Sequence, residues 1–149
     1  MPIDFKYAII KQKDQGVYNY SIIRLKIMNH FESFEDYLER ILMLSKINKD
    51  VKAIDIAKSM NYSKASISIA LKKLRNEELI IVNENGNISL TNKGLTIANN
   101  IYERHMTIAS ILMSLGVPEK IAYADSCKIE HDISVEGYEA LKNHFKDII

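Results

Sequence analysis

The chain has 149 residues, of which 47% are hydrophobic and 26% charged, and a formal net charge of +1. That length fits one compact domain, or a small domain with an appendage, and allows a core that needs no disulfides. The single cysteine, Cys127, excludes an internal bridge and leaves a buried apolar thiol, a reactive thiol or a metal ligand. The longest apolar runs, such as IASILMSL, fall well short of a membrane span, and the N-terminus lacks a secretory signal pattern. The expected location is therefore the cytoplasm.

Charge is spread unevenly. Residues 1–50 carry 8 basic and 7 acidic side chains, residues 51–95 carry 7 and 4, and residues 96–149 carry 5 and 8. A basic middle joined to an acidic end suits a protein that meets a polyanion with one part and a cation with another, although scattered surface charge gives the same numbers.

Residues 1–32, with Tyr7, Tyr18, Tyr20 and the stretch SIIRLKIM, read as an N-terminal arm whose role the pattern does not assign. Ser33 and Asp36 have the S-x-x-D form of a helix start, and Tyr37, Leu38, Ile41, Leu42 and Leu44 recur at helical spacing to about Lys46. Ile54, Ala57 and Met60 mark a short second helix with no good capping residue directly before it. Asn61 and Tyr62 make a tight connection to Ser63, an N-cap, after which Ile67, Ala70, Leu71 and Leu74 face inward. Two short helices so joined, with small Ala57 where they must cross closely, read as helix-turn-helix.

The run LIIVNENGNISLT that follows holds two β-like stretches around Asn85-Gly86, a pair suited to a type I′ turn. A hairpin directly after the second helix defines the winged variant. From about Asn92 a long helix carries Leu95, Ala98, Ile101, Tyr102, His105, Ile108, Ala109, Leu112 and Leu115 on one stripe, and Gly116 is its C-cap. Pro118 opens another helix to about His131, and Ser134 caps a last one to about Phe145.

Three groups of side chains could carry chemistry. Asp36 and Glu39 project from one helix face, where they either bind a cation or cap the helix and meet its positive end. Cys127, Glu130 and His131 stand at i, i+3 and i+4, a spacing that aims thiolate, carboxylate and imidazole at one point. These are transition-metal ligands, or else a buried Cys beside an exposed Glu-His pair. His105, alone on an apolar stripe, is either a hydrogen-bonded core residue or a ligand.

From about Ser33 to His144 the chain resembles the family of the diphtheria toxin repressor and the manganese transport regulator. The resemblance is carried in order by FEDYLERILML, NYSKASISIALKKLRNEELI, the wing, YERHMTIASILMSLGV and DSCKIEHDIS, most specifically by IEH preceded by Cys127 with His105 upstream. It implies a mainly α fold, with a winged helix-turn-helix DNA-binding domain over 33–95 and an all-helical dimerisation and metal-binding domain over 96–149. It also implies a six-residue metal site of Asp36, Glu39, His105, Cys127, Glu130 and His131. The set is a hybrid: Cys127 follows iron-type members, Asp36 manganese-type ones. Ala109 and Tyr123 stand where iron-type members have ligands of a second site, so that version of it is expected to be absent. The short form, without an SH3-like third domain, is expected.

The resemblance further implies a repressor of metal homeostasis genes, with Mn²⁺ or Fe²⁺ as corepressor, acting as a homodimer on a palindromic operator in double-stranded DNA. Contacts to DNA are expected from Ser63, Lys64, Ser66, Ser68, Lys72 and Lys73 on the exposed side of the reading helix, the lysines mainly to phosphates, and from Asn85 at the wing tip. The alternative is a winged-helix regulator that senses a small organic ligand or a partner protein. An enzyme is not expected, because no nucleophile or oxyanion loop accompanies the ligand-type residues.

Overall fold

The computed structural model describes residues 34–148, so the arm read over 1–32 and the cap read at Ser33 lie outside the described residues. Among the described residues the elements run α1 (Phe34–Ser45), α2 (Ala53–Met60), α3 (Lys64–Asn76), β1 (Ile80–Val82), β2 (Ile88–Leu90), α4 (Asn92–Ser114), α5 (Glu119–Asp132) and α6 (Val135–His144). They fall into two compact units, one ending at Tyr102 and the other beginning at Glu103, so that α4 contributes to both. None of the helices among the described residues is long and apolar enough to cross a membrane.

Local chemistry sets the ends of the helix-turn-helix. The Lys52 N–H donates to the Asp55 carboxylate at 2.9 Å, so an acid inside α2 satisfies the N-terminus that no preceding side chain caps. The helix stops at Asn61, which adopts the left-handed region (φ 53°), and the Tyr62 N–H returns to the Ala57 carbonyl at 3.0 Å. Ser63 then starts α3, its Oγ accepting from the Ser66 N–H at 3.1 Å.

The core of the N-terminal unit is apolar. Leu38, Ile41 and Leu42 of α1, Ile56 and Ala57 of α2, Ile67, Ala70 and Leu74 of α3, and Ile80 and Ile88 of the hairpin form one buried cluster. At roughly 1.5–3 kcal/mol for each buried branched side chain, this cluster is the main stabiliser of the unit.

The wing is an antiparallel pair with Ile80 opposite Leu90 and Val82 opposite Ile88. Its turn differs from the type I′ expectation. Gly86 has positive φ (77°), but Asn85 does not. The Asn83 N–H donates to the Asn87 carbonyl at 3.0 Å and the Gly86 N–H to the Asn83 carbonyl at 2.9 Å, which makes a three-residue loop: a type I turn closed by a left-handed glycine. Asn83 rewards this longer loop, because its Oδ1 accepts from the N–H groups of both Asn85 (3.0 Å) and Asn87 (2.9 Å). The wing is tied to the segment before α2 by the Ile88 N–H on the Val51 carbonyl at 2.7 Å.

Gly94 marks a close approach. A Cβ there would lie 2.0 Å from the Leu79 carbonyl oxygen, so only glycine lets the first turn of α4 pass the strand entry. The stripe read along this helix is corrected at both ends. Leu95 is 39% and Leu115 65% exposed, and Leu115 lies beyond the last helical residue. Ile111, which the stripe omitted, is buried with Ala98, Ile101, His105, Ile108 and Ala109. Gly116 (φ 89°) terminates the helix, as its sequence position indicated. Pro118 precedes α5, and the Ser134 Oγ accepts from the Gly137 N–H at 3.0 Å at the start of α6.

Candidate functional site

His105 comes from the second half of α4, Cys127 and Glu130 from α5. Ligand-type atoms of these three side chains all lie within 4.8 Å of one another. His105 Nδ1 is 2.8 Å from Glu130 Oε2 and 3.5 Å from Cys127 Sγ. Glu130 is 1% exposed and His105 5%. Burial by itself would lower the imidazole pKa, yet the hydrogen bonds and negative charge of Cys127 and Glu130 outweigh it and raise it from 6.5 to about 10. The imidazolium is thus the cation that Glu130 and Cys127 surround.

One atom of this cluster is left over. Among the described residues, Glu130 Oε1 is buried and has no hydrogen-bond partner. His131 Nε2 lies 3.3 Å from it, close enough for an ion pair but without hydrogen-bond geometry. A buried carboxylate oxygen with no donor is costly, and a bound cation removes that cost. An imidazole, a thiol and a carboxylate beside such an oxygen fit a first-row divalent ion.

Around the cluster stand residues that the sequence reading did not single out. Ser126 is fully buried; its Oγ donates to the Tyr123 carbonyl at 2.9 Å and sits 3.3 Å from His105 Nδ1. The Tyr123 ring, read only as a departure from iron-type ligands, stacks on the His105 ring at 5.8 Å with 13° between planes. Arg104, next to His105, reaches the carbonyls of Glu130 and Ile133. Adjacency to His105 and Cys127 was the only available signal for Arg104 and Ser126. His131 stands half-buried beside Glu130. Asp36 and Glu39 belong to α1 in the N-terminal unit, where Glu39 is buried (6% exposed) and Asp36 half-buried.

The cap Ser63 and, on α3, Lys64, Ser66, Ser68, Lys72 and Lys73 are all exposed, as is Asn85 on the wing. The Ser63 and Ser66 hydroxyls bond each other at 2.9 Å, so both are already committed to the helix start. Ile69 was missed: it is 60% exposed on the same outer stripe as Ser66 and Lys73, where an apolar group can meet a thymine methyl.

A winged helix-turn-helix followed by a helical unit that brings an imidazole, a thiol and a carboxylate to one point defines a DNA-binding fold joined to a candidate cation site. The comparisons with known proteins agree. Residues 30–87 match the family model of the iron dependent repressor N-terminal DNA binding domain, and residues 91–148 that of the iron dependent repressor metal binding and dimerisation domain. The chain belongs to the iron dependent repressor family.

It is 37% identical over 121 residues to an HTH-type transcriptional regulator of Methanocaldococcus jannaschii, covering 78% of this chain and 97% of that protein. It is 32% identical over 102 residues to the HTH-type transcriptional regulator MntR of Bacillus subtilis, covering 68% of this chain and 72% of MntR. Among solved structures it is similar to T. acidophilum IdeR, with a TM-score of 0.70 and 28% identity over 80% of this chain. It is also similar to the manganese regulator SloR, with a TM-score of 0.68 and 27% identity over 78% of this chain. The chain spans about half the length of these solved structures, 56% of IdeR and 55% of SloR.

Proposed function

We propose that this protein is a metal-dependent transcriptional repressor that binds DNA as a homodimer, with Mn²⁺ or Fe²⁺ as corepressor. The observation that carries the reading is the cluster of buried His105 and Glu130 with half-buried Cys127, whose Glu130 Oε1 takes no hydrogen bond among the described residues, in a chain whose other unit presents an exposed basic helix. Asp36, Glu39 and His131 complete the ligand set, and the division of labour runs 33–95 for DNA and 96–149 for metal and dimer. The hard carboxylates favour Mn²⁺ or Fe²⁺, while Cys127 leans toward Fe²⁺.

A divalent cation, held by these carboxylate, thiol and imidazole groups, would supply the positive charge that the site lacks. The residues do the rest. His105 would give up its proton to serve as a ligand. Asp36 and Glu39 would add ligands from α1 of the DNA-binding unit, so that metal binding would favour one arrangement of the two units. In a twofold dimer that arrangement sets the separation of the two α3 helices, which must match half-sites about 34–36 Å, or a multiple, apart. Lys64, Lys72 and Lys73 neutralise phosphates, the serines permit close approach to the groove, and Asn85 touches backbone from the wing.

The test is operator binding titrated with Mn²⁺, Fe²⁺, Co²⁺ and Zn²⁺ in parallel, then reversed with chelator. Affinity should rise with Mn²⁺ or Fe²⁺, by about a hundredfold if occupancy at 100 times the dissociation constant contributes about 2.7 kcal/mol. Indifference to chelator would point instead to a regulator that senses an organic ligand or a partner protein.

A further inference from the structure

Consecutive residues of α4 grip Glu130 from both ends. His105 holds its carboxylate, while the Nη1 of Arg104 donates to its main-chain carbonyl at 3.3 Å and to that of Ile133 at 3.3 Å. The Glu130 carbonyl is among the last four of α5, which have no partner within the helix, and a cation at a helix C-terminus also meets the negative end of its dipole. The guanidinium in turn lies over the Tyr138 ring of α6, 5.1 Å from its centre. Tyr138 is anchored to α4, its hydroxyl reaching Glu103 at 3.4 Å and Thr107 at 3.3 Å, and Lys142 pairs with Glu103.

We infer that Arg104 is a positioning residue for the cation site. It ties the final turn of α5, which carries Glu130 and His131, to the turn of α4 that carries His105. Helix ends fray, and ligand atoms must meet an ion to within about 0.2 Å. A tie on the backbone keeps the donors in register without occupying any of them. The charge of Arg104 acts in the opposite sense, since a cation near the site repels the incoming ion. The two effects therefore differ in sign when Arg104 is replaced.

The inference rests on the proposed metal site, and its test separates the two. Mn²⁺ affinity is measured by calorimetry on the full chain as wild type, Arg104→Met, Arg104→Lys and Lys142→Ala. Co²⁺ spectra are recorded for each, together with amide hydrogen exchange of the metal-free forms. Arg104→Met keeps the apolar stem but loses the donors. It should weaken Mn²⁺ binding about 10- to 100-fold, the usual effect of losing a group that supports a ligand. It should also alter the cobalt–thiolate band from Cys127 and speed exchange at residues 131–134. Arg104→Lys should recover part of the loss, and Lys142→Ala should leave affinity and spectrum unchanged.

Unchanged or tighter Mn²⁺ binding in Arg104→Met, with the wild-type cobalt spectrum, would overturn the inference. If Arg104→Met fails to fold, Arg104→Lys decides: wild-type affinity and exchange contradict a role for the forked contact to two carbonyls. If wild type itself binds neither ion, the metal reading fails. Exchange at 131–134 then still shows whether Arg104 holds the end of α5, and no change there overturns it.

Discussion

The two units of this molecule are built on different principles. The N-terminal unit is held by a cluster of aliphatic side chains in which Leu38, Ile56 and Leu74 are fully buried. In the C-terminal unit the most deeply buried side chains include Ser126 at 0% exposed and Glu130 at 1%, with His105 at 5%. An apolar core is complete as soon as the chain folds. A core whose carboxylate oxygen takes no hydrogen bond among the described residues, with the His131 ring 3.3 Å away, can still gain from a bound cation. The contrast teaches how the two units differ: the exposed α3 rests on a self-sufficient apolar scaffold, while the polar cluster is one that a bound cation would stabilise further.

The sharpest way to break this comparison is to remove the buried carboxylate. Glu130→Ala, and separately His131→Ala, should abolish metal-activated DNA binding and leave a folded dimer, as read by fluorescence anisotropy and analytical ultracentrifugation. A full metal response in His131→Ala would contradict its place among the ligands. Next in size is a purely steric change in the other unit. Gly94→Ala pushes a methyl into the Leu79 carbonyl and should cost about 3 kcal/mol in denaturant unfolding, with cation affinity untouched.

A smaller and graded effect comes from pH. As a ligand, His105, whose Cys127 and Glu130 neighbours raise its pKa to about 10, would lose a proton on binding. Apparent cation affinity should therefore rise about tenfold per pH unit below that value, and calorimetry in buffers of different ionisation enthalpy should count at least one proton released per ion. The stability of the metal-free fold runs the other way. A raised histidine pKa contributes stability that is fully present below pH 6.5 and is lost as pH rises through about 10. Binding without proton release would remove His105 from the ligand set. The smallest expected effect is at the exposed reading helix: Lys72→Ala should lower the slope of log affinity against log salt by about 1, without changing metal affinity.

Much of the architecture was legible because its signals are local. Ser63 and Ser134 cap the helices that follow them, Asn61 and Gly116 end those that precede them, and each works through contacts within a few residues. The hairpin was legible, its turn type was not. Asn85-Gly86 permits a two-residue turn, but the Asn83 side chain bonds two amides further along and selects the longer loop. The stripe along α4 was right in its centre and wrong at Leu95 and Leu115, where helical spacing says which residues share a face but not where cover ends.

The candidate site divides in the same way. Cys127 and Glu130 share one face of one helix, which spacing alone reveals, and donor chemistry marks them as candidate ligands. That His105, 25 positions before Glu130 and on another helix, reaches its carboxylate at 2.8 Å is decided by how α4 and α5 pack. So are the stack of Tyr123 on His105 and the reach of Arg104 to two carbonyls. Amino-acid order therefore determined the helices, their ends and the types of donor. Tertiary structure decided which donors meet and which atom is left unsatisfied, because hydrogen bonds and charge in a buried site depend on distances of a few ångströms that chain separation does not encode.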